Sequence, residues 1–384
     1  MQKLVYPLAV VLLALLWQTA TVNINYSGNW TALFCTGDLR PTPPALASEN
    51  IYTFTGSNGF DGQYYHYIAH DPWPGGKMSS YVDAAGIRYC RILLPAAAYL
   101  LALGRQQFID FAYIAAGLAF LFLGVWWFRV FSERSGRPPE WALVFPLLPA
   151  SMIFFDRLTV DHALAALAAA FVVYAASESS GKLWVVLALA PLARDTGLVL
   201  VAAYCLYCLS RRRWKRAAWF ATAGLPWLGW SLFVWSRVGH PRYDVILVPL
   251  SAVLHWLFHP PHYPPRVPAA WLVQFGDVLA LLGMLAAVAL ACALAARRRR
   301  DPVAIAALLY AVAAVCFQKP VVWETVYNYG RIFTPLLVLV AAGWLPSRPW
   351  LAALPVALIL PRILMQYAPQ LMGIAGTLLG IRLT

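Results

Sequence analysis

Apolar runs long enough to cross a lipid bilayer recur along this chain of 384 residues from end to end. A hydrocarbon core of about 30 Å requires about 20 predominantly apolar residues in a helix. Only 12% of the residues are charged and 61% are hydrophobic, whereas a soluble domain carries about 25% charged residues. Because backbone polar groups in lipid must be satisfied internally, this pattern predicts an all-α polytopic integral membrane protein.

The number and spacing of the runs predict about 11 transmembrane helices, within a range of about 10–12, in a single transmembrane domain over residues 1–384. The first run follows Lys3 and could be a signal peptide, but no clear small-x-small cleavage site follows it, so we expect an uncleaved helix. The runs lie at about 4–20, 108–131, 141–157, 161–177, 183–193, 197–210, 217–237, 271–296, 302–318, 331–346 and 350–366.

The net charge of +13 is concentrated in short gaps between these runs. "RRRWKR" (Arg211–Arg216) and "RRRR" (Arg297–Arg300) each separate two apolar runs, as positive-inside anchors do, which argues against nucleic acid as a partner. With both clusters in the cytoplasm, residues 21–107 and 238–270 become two outer loops. The short run 91–104 then becomes an amphipathic or re-entrant helix on the outer face and not a crossing.

Most ionisable residues that positive-inside anchoring does not explain fall on that outer side. They come from five separate connections, so their side chains could meet in one site. Three of them are pressed between apolar runs, where a charge normally needs a partner or a function. The whole set is Asp61, His66, His70, Asp71, Arg88, Arg91, Asp156, Arg157, Asp161, His162, Arg194, Asp195, Glu324 and Arg331.

The stretch "GFDGQYYHYIAHDP" (59–72) lies in the middle of the first outer loop. It predicts a helix that begins at Asp61, whose carboxylate could cap free backbone amides. His66 and His70 share one face at i, i+4. An interfacial amphipathic helix with an aromatic belt is the structural alternative for this stretch.

Arginines favour a functional interpretation of the outer site. Arg91, Arg194 and Arg331 lie at the outer ends of three different segments, and guanidinium is the natural bidentate partner of phosphate. Carboxylates beside several arginines at the lipid interface suit a phosphorylated lipid. The cations would hold a leaving phosphate, and a carboxylate would act as general base on an acceptor hydroxyl.

At these residues the chain resembles a known family. "GFDGQYYHYIAHDP", followed by "IRYCRILLP", is similar to the "YDGQFYY-x-x-A-x-DP... YR-x-R-I-x-x-P" pattern of bacterial integral-membrane glycosyltransferases of the C-type (GT-C) superfamily. "LTVDHALAALAAAF", "LAPLARDTGLVL" and "YNYGRIFTPLLVL" extend the resemblance over about three quarters of the chain. It implies a hexosyl- or pentosyltransferase with a GT-C-like fold, amphipathic juxtamembrane helices in the first outer loop and an extracytoplasmic active site in the bacterial inner membrane.

The resemblance also assigns residues. Asp61 matches the motif aspartate and is the expected catalytic base, and Asp161 is the expected second catalytic acid residue, which orients acceptor or donor. Arg194 and Asp195 fall where relatives often carry Arg-Glu-Thr-Gly, so Asp195 is one methylene shorter than the family residue. Arg331 is expected to hold the donor phosphate. The expected substrate-binding set is completed by Gln63, Tyr64, His66, Arg91 and Glu324.

The implied donor is a polyprenyl-phosphate sugar, and the implied acceptor is a glycan, lipid or protein in cell-surface glycan assembly. No cofactor is certain. A divalent cation, Mg²⁺ or Mn²⁺, is possible at Asp61 with Asp161 or His66. The triplet His255, His259 and His262 resembles metal-ligand spacing, but prolines break its helical geometry.

Two functions of other classes stay open at this stage. A multi-pass transporter or flippase of a lipid-linked saccharide predicts ionisable residues near the bilayer midplane and two repeated halves, and neither is visible in the sequence. A non-catalytic scaffold for surface-polymer assembly would keep the fold with a decayed site. A disulfide between Cys35 and Cys90 is also left open.

Overall fold

The computed structural model describes residues 2–177, 179–241, 248–261, 263, 269–317 and 319–380, which are predominantly helical. Two very short strands, Thr36–Gly37 and Thr53–Phe54, pair in parallel within the first polar interval. Short 3-10 helices punctuate the loops, among them Trp30–Phe34, Pro44–Glu49, Ser79–Tyr81, Gln106–Phe108, Pro139–Val144, Asp195–Gly197, Thr222–Gly224 and Met365–Tyr367.

The α-helices follow the apolar runs of the sequence closely. In chain order they are Val5–Asn25, Asp61–His70, Ala85–Arg88, Leu93–Leu101, Ile109–Arg134, Pro149–Arg157, Asp161–Ala176, Ser180–Ala193, Leu198–Ser210, Trp214–Ala221, Leu225–Val238, Ser251–Phe258, Ala270–Arg297, Pro302–Cys316, Pro320–Trp323, Val326–Ile332, Thr334–Trp344, Pro349–Leu364 and Ala368–Leu379.

Five helical stretches of the described chain are long and apolar enough to cross a membrane, so this is an all-α membrane protein. Five further apolar helices, such as Asp161–Ala176, are shorter. The total of about eleven spans therefore stays a prediction. The five long stretches are Val5–Asn25, Gln106–Arg134, Trp214–Val238, Ala270–Arg297 and Pro349–Leu379.

The apolar run predicted at 141–157 is not one straight helix. A 3-10 helix, Pro139–Val144, is followed by the nine-residue helix Pro149–Arg157, which is only about 14 Å long. Pro146 and Pro149 lack the amide protons that a continuous helix would need, which explains the break. The short helix brings Asp156 next to Cys35 and Arg157 next to Phe60, two residues of the first polar interval.

The alanine-rich helix Asp161–Ala176 lies at the centre of the protein. All but two of its side chains are buried, and it packs against Ile109–Arg134, Ser180–Ala193 and Thr334–Trp344. Small side chains allow such close approach of neighbouring helices where lipid offers no hydrophobic driving force between them. The first residue of this helix, Asp161, is thereby held inside protein rather than in lipid.

The helix Asp61–His70, called the motif helix below, begins at the predicted residue. Every side chain from Gly62 to His70 is buried, so the alternative of an amphipathic helix lying on a membrane surface is wrong. It packs against Leu93–Leu101 and Ile109–Arg134. Leu93–Leu101 has only nine residues, too few to cross a bilayer, as expected for the run at 91–104.

Candidate functional site

Seven charged side chains from five segments meet beside the start of the motif helix. We call them the arginine cluster. The motif helix, the Arg88–Arg91 turn, the start of Asp161–Ala176, the junction after Ser180–Ala193 and the helix Val326–Ile332 contribute to it. Its members are Asp61, Arg88, Arg91, Asp161, Arg194, Asp195 and Arg331.

Asp61 is the first residue of the motif helix, and it pairs with two arginines. Arg88 Nη2 donates to Asp61 Oδ1 at 2.9 Å, and Arg331 pairs with Asp61 Oδ2. The residue before the helix is Phe60, and no side chain caps the helix start. The prediction that Asp61 caps the backbone amides is therefore wrong, because its carboxylate is directed at guanidinium groups instead.

Two glycines of the motif make this placement possible. Gly59 has φ +74°, a left-handed conformation that glycine adopts at no steric cost. A Cβ at Gly62 would come within 2.5 Å of the Arg157 carbonyl oxygen and 2.8 Å of the Phe34 carbonyl oxygen. The sequence "GFDG" therefore turns the chain and lets the motif helix approach neighbouring backbone on both sides of Asp61.

Asp161 is the deepest carboxylate of the cluster, with 2% of its surface exposed. It pairs with Arg194, and Arg331 Nη1 lies 3.5 Å from its Oδ2. Arg331 thus bridges the two predicted catalytic aspartates. Loss of Arg331 or of either aspartate would leave a buried charge without its ion partner, which is costly. The bridge therefore holds the motif helix and the helix Asp161–Ala176 in a fixed relative position.

Arg91 and Asp195 form the other side of the cluster. Their Nη2 and Oδ1 atoms lie 3.2 Å apart, and Arg91 Nη1 donates to the Tyr65 hydroxyl at 3.3 Å. The shorter carboxylate of Asp195 therefore still reaches an arginine. A role for this residue through Arg91 fits the geometry better than direct contact with a reacting group.

The cluster has more cationic donors than its carboxylates use. Four guanidinium groups and three carboxylates give these seven residues a net charge of +1, and a fourth carboxylate, the exposed Asp83, pairs with Arg88 from outside the cluster. The Nε atoms of Arg194 and Arg331 are buried and find no hydrogen-bond partner among the described residues. Buried donors without partners are costly unless a ligand satisfies them, and an anion suits an excess of positive charge.

The same cations determine the ionisation of Asp61. Burial by itself would raise the pKa of this carboxyl, but Arg331 and Arg88 outweigh burial and hold the pKa well below its usual range. Asp61 is therefore an anion at neutral pH. It is also a weak base for as long as both arginines are directed at it.

Two other motif residues border the cluster in different ways. The Tyr64 ring faces the Arg88 guanidinium at 4.3 Å, in cation–π geometry. Both polar atoms of Gln63 bond backbone groups, because its Oε1 accepts from Gly37 N at 3.3 Å and its Nε2 donates to Asn58 O at 2.9 Å. Gln63 therefore orders the loop before the motif helix, and its predicted contact with substrate stays a prediction.

The structure places two predicted site residues away from the cluster. His66 faces Asp110 and His70, on a separate part of the motif helix. Glu324 is exposed and lines another cavity together with His255 and His259; His262 lies outside the described residues. The sequence misleads here because an outer-side position does not determine which neighbours a side chain meets.

A divalent cation at Asp61 also stays a prediction, and the geometry argues against it. Asp61 and Asp161 are both paired with guanidinium groups, which would repel a metal ion from the same oxygens. His66, the third expected ligand, is directed elsewhere. The cysteines left open as a disulfide are free, with Cys35 Sγ near Asp156 O and Cys90 Sγ near Gly86 O.

Two residues of this site, Arg88 and Tyr65, are not among the site residues predicted from the sequence. Arg88 was placed on the outer side but not in the site, although it contacts Asp61 directly and also pairs with Asp83. Tyr65 looked like one aromatic residue among several, yet its hydroxyl contacts Arg91. The spacing of Arg88 and Arg91, three residues apart and one helical turn, was the available signal.

Two cavities are lined in part by residues of the short helix Pro149–Arg157. The smaller one, of about 200 Å³, has a mixed polar and apolar lining that includes Phe60, Asp156, Arg157 and Gln370. The centroid of the Phe60 ring lies 4.6 Å from the Arg157 guanidinium and 5.0 Å from the Arg331 guanidinium. The other is an almost wholly apolar groove of about 670 Å³. Its lining includes Leu13, Trp17, Leu147, Met152, Phe155 and Tyr367.

In comparisons with known proteins, no family model, no curated protein and no solved structure matches this chain.

Proposed function

We propose that this protein is a membrane glycosyltransferase that moves a sugar from a polyprenyl-phosphate donor to an acceptor outside the cytoplasm. The observation that carries the proposal is the arginine cluster. Four arginines surround Asp61 and Asp161, and two buried Nε donors have no protein partner among the described residues. A phosphate with bidentate oxygens is the ligand that such a set recognises best.

The cavities support a donor that is both charged and lipidic. Met152 and Phe155 line the apolar groove, while the next two residues of the same helix, the charged Asp156 and Arg157, line the smaller cavity. A ligand with a prenyl chain in the groove would therefore present its head group toward Phe60 and Arg331. Aromatic rings with a nearby carboxylate also suit the faces and hydroxyls of a sugar.

The proposed reaction is a substitution at the anomeric carbon. The acceptor hydroxyl oxygen forms a bond to C1 of the sugar, and the bond between C1 and the phosphate oxygen breaks. The electron pair leaves with polyprenyl phosphate, whose new charge Arg331 and Arg194 stabilise. The hydroxyl proton passes to the Asp61 carboxylate, which acts as general base.

Donor binding would itself prepare Asp61 for this step. In the free protein, Arg88 and Arg331 are both directed at Asp61 and hold its pKa well below the usual range. A bound phosphate shares these guanidinium groups and adds negative charge nearby, and both effects raise the pKa of a carboxyl. The base therefore becomes effective only when a donor is present.

The proposal includes a topology and a location. About eleven spans in a C-type fold, with both arginine-rich gaps in the cytoplasm, would place the arginine cluster on the extracytoplasmic face of a bacterial inner membrane. Acceptors there would be a glycan, a lipid or a protein of the cell surface. The variants Arg40→Cys and Arg298→Cys would place a cysteine on each predicted side of the membrane. The accessibility of each cysteine to a thiol reagent in intact cells would test this orientation.

The experiment is transfer of radiolabelled sugar by purified protein in bilayers, from a panel of hexosyl and pentosyl polyprenyl phosphates. We expect wild type to use at least one donor and Asp61→Asn to lose about 10²–10⁴ in rate, the usual contribution of a general base. Asp277→Asn is the matched control. Asp277 is also a buried aspartate paired with an arginine, Arg362, at 2.7 Å, but it lies outside the cluster.

Transfer that survives in Asp61→Asn at the level of Asp277→Asn would overturn the assignment of the base. Wild type that transfers no sugar but moves the labelled donor across the bilayer would overturn the proposal in favour of a flippase. Wild type that does neither, while cells carrying Asp61→Asn make normal surface polymer, would favour the scaffold.

A further inference from the structure

The far end of the motif helix carries a second polar group that the proposed transfer reaction does not use. We call it the histidine cluster: Glu49, His66, His70 and Asp110. One ligand atom from each of these residues lies within 4.8 Å of each of the others. The two histidines are fully buried in their side chains, and the two carboxylates are largely covered.

Three of the ligand atoms form a compact triangle. His66 Nε2 lies 2.7 Å from Asp110 Oδ1, His70 Nε2 lies 3.2 Å from His66 Nε2, and His70 Nε2 lies 3.3 Å from Asp110 Oδ1. Glu49 Oε2 is 3.8 Å from His66 Nε2. Around a tetrahedral Zn²⁺ with ligands at about 2.0–2.1 Å, neighbouring ligand atoms are about 3.3 Å apart. The triangle is close to that size.

Hydrogen-bond partners fix which nitrogen of His70 faces the triangle. Gln106 Nε2 donates to His70 O at 3.2 Å, which directs its Oε1 to His70 Nδ1 at 2.7 Å. His70 Nδ1 therefore carries the proton and donates it to Gln106 Oε1, and Glu49 Oε1 also lies 3.2 Å from this nitrogen. In the neutral ring, the lone pair of Nε2 is then directed into the cluster. A hydrogen bond of this kind on the remote nitrogen is the usual support of a metal-ligating histidine.

The cluster has more lone pairs than protons. His70 Nε2 and Asp110 Oδ1 both accept, so a proton on His66 Nε2 can satisfy only one of them. In the part of the chain that the structure describes, the ion pairs of Glu49 and Asp110 are with these two histidines and with no lysine or arginine. Glu49 Oε2 is buried and has no hydrogen-bond partner there.

We propose that the histidine cluster is a binding site for a divalent transition metal ion, with Zn²⁺ as the ion its ligands suit best. Two imidazoles and two carboxylates are borderline ligands in a four-coordinate set, which favours Zn²⁺ over the harder Mg²⁺ and Ca²⁺. His66 and His70 have the i, i+4 spacing that places two imidazoles on one helix face. The His66 ring is held in place by stacking on Phe34, with centroids 4.0 Å apart.

An ion can reach this site from solvent. A surface cavity of about 790 Å³ is lined by Ser48, Glu49, Arg105, Gln106 and Gln107. Glu49 is thus shared by the cavity and the cluster, and Gln106 by the cavity and the hydrogen bond to His70. An accessible path of this kind is one requirement of a credible metal site.

The metal would hold three segments together. Glu49 ends the 3-10 helix Pro44–Glu49, His66 and His70 belong to the motif helix, and Asp110 lies in the first turn of Ile109–Arg134. Since Asp61 begins the motif helix, these four ligands act as positioning residues for the proposed base. The metal itself takes no part in sugar transfer.

The test is metal content and spectroscopy of the full-length protein in detergent. After removal of metal with a chelator and addition of Zn²⁺, we expect about one tightly bound Zn²⁺ per chain by elemental analysis. Co²⁺ in its place should give the visible absorption of a tetrahedral nitrogen and oxygen site. His66→Ala/His70→Ala should bind at least 100-fold more weakly, because half of the ligands are lost.

The matched control is His255→Ala/His259→Ala, which removes another i, i+4 histidine pair whose rings stack on each other and should leave metal content unchanged. If the cluster variant fails to fold, Glu49→Gln removes one carboxylate near the surface and should change the Co²⁺ spectrum. Wild type without stoichiometric metal would overturn the proposal, as would a cluster variant that binds like wild type. Neither result depends on sugar transfer.

Discussion

The two ends of the motif helix are built for opposite charges. At its start, Asp61 is surrounded by guanidinium groups, and donors without partners remain. Farther along, about 8 Å from Asp61 at His66 and about 14 Å at His70, the two histidines face carboxylates. One ten-residue helix therefore carries both the proposed anion site and the proposed cation site, and the burial of its side chains does not distinguish the two.

A third group shows what a self-contained polar cluster looks like. Arg362 Nε donates to Asp277 Oδ1 at 2.7 Å, and Tyr263 donates to Asp277 Oδ2 at 2.5 Å. Tyr327 also contacts Arg362. Charges balance within this group, and its carboxylate oxygens are both used. It supplies control variants for the two ends of the motif helix, because it has similar burial without an excess of donors or acceptors.

The largest expected effect is at the anion end. Arg331→Gln removes the bridge between Asp61 and Asp161 and leaves both carboxylates with fewer partners, which should cost about 3–5 kcal/mol of stability. Arg362→Gln should cost a similar amount. The two variants should differ in function, because only Arg331→Gln should lose donor affinity in a binding assay. Equal loss of affinity in both would mean that Arg331 matters only for folding.

The next effect belongs to the cation end. Zn²⁺ at 100 times its dissociation constant should stabilise the wild type by about 2.7 kcal/mol, since the ion binds the folded state. Thermal unfolding in detergent with and without Zn²⁺ measures this change. His70→Ala should abolish the increase, whereas Asp61→Asn should keep it. If Zn²⁺ still stabilises His70→Ala, the stabilisation does not come from binding to the histidine cluster.

Ionisation of Asp61 gives a smaller and more specific effect. Because Arg331 and Arg88 hold the pKa of Asp61 well below its usual range, the acid limb of kcat/KM for wild type should lie below about pH 4. Arg88→Gln removes one cation, raises this pKa and should move the limb toward higher pH. Arg105→Gln, at an exposed arginine, should leave the profile unchanged. An unshifted limb in Arg88→Gln would contradict the role of Asp61 as base.

The smallest expected effect concerns Asp195. Asp195→Glu lengthens the side chain by one methylene and keeps the charge opposite Arg91, now at 3.2 Å. Transfer should stay within about tenfold of wild type, which corresponds to about 1.4 kcal/mol. Asp195→Asn should lower transfer further, because Arg91 loses its ion partner. A larger loss in Asp195→Glu than in Asp195→Asn would show that length, rather than charge, determines the role of this residue.

The length and periodicity of the apolar runs predicted most of the helices, because both features depend on local sequence alone. They also placed Asp61, Asp161, Arg91, Arg194, Asp195 and Arg331 on one side of the chain, and the structure brings these six together. The apolar run at 141–157 does not predict the break after Pro139–Val144, although Pro146 and Pro149 lie within the run.

Contacts between distant segments were the part that local patterns could not predict. Asp110 looked like an ordinary acidic residue at the start of an apolar run, and Glu49 like a loop residue. Only folding brings both to His66 and His70. The same applies to Arg88, whose guanidinium reaches Asp61 across 27 positions of the chain. Residue type and spacing identify candidates, but tertiary packing decides which candidates meet.

The most direct test of the central claim is equilibrium binding of polyprenyl phosphate without a sugar, by wild type, Asp61→Asn and Arg331→Gln. Removal of the Asp61 charge makes the arginine cluster more positive by one charge, so Asp61→Asn should bind at least as tightly as wild type although its rate of transfer is about 10²–10⁴ lower. Arg331→Gln should bind at least tenfold more weakly. Loss of binding in Asp61→Asn, with Arg331→Gln unaffected, would contradict an anion site at the start of the motif helix.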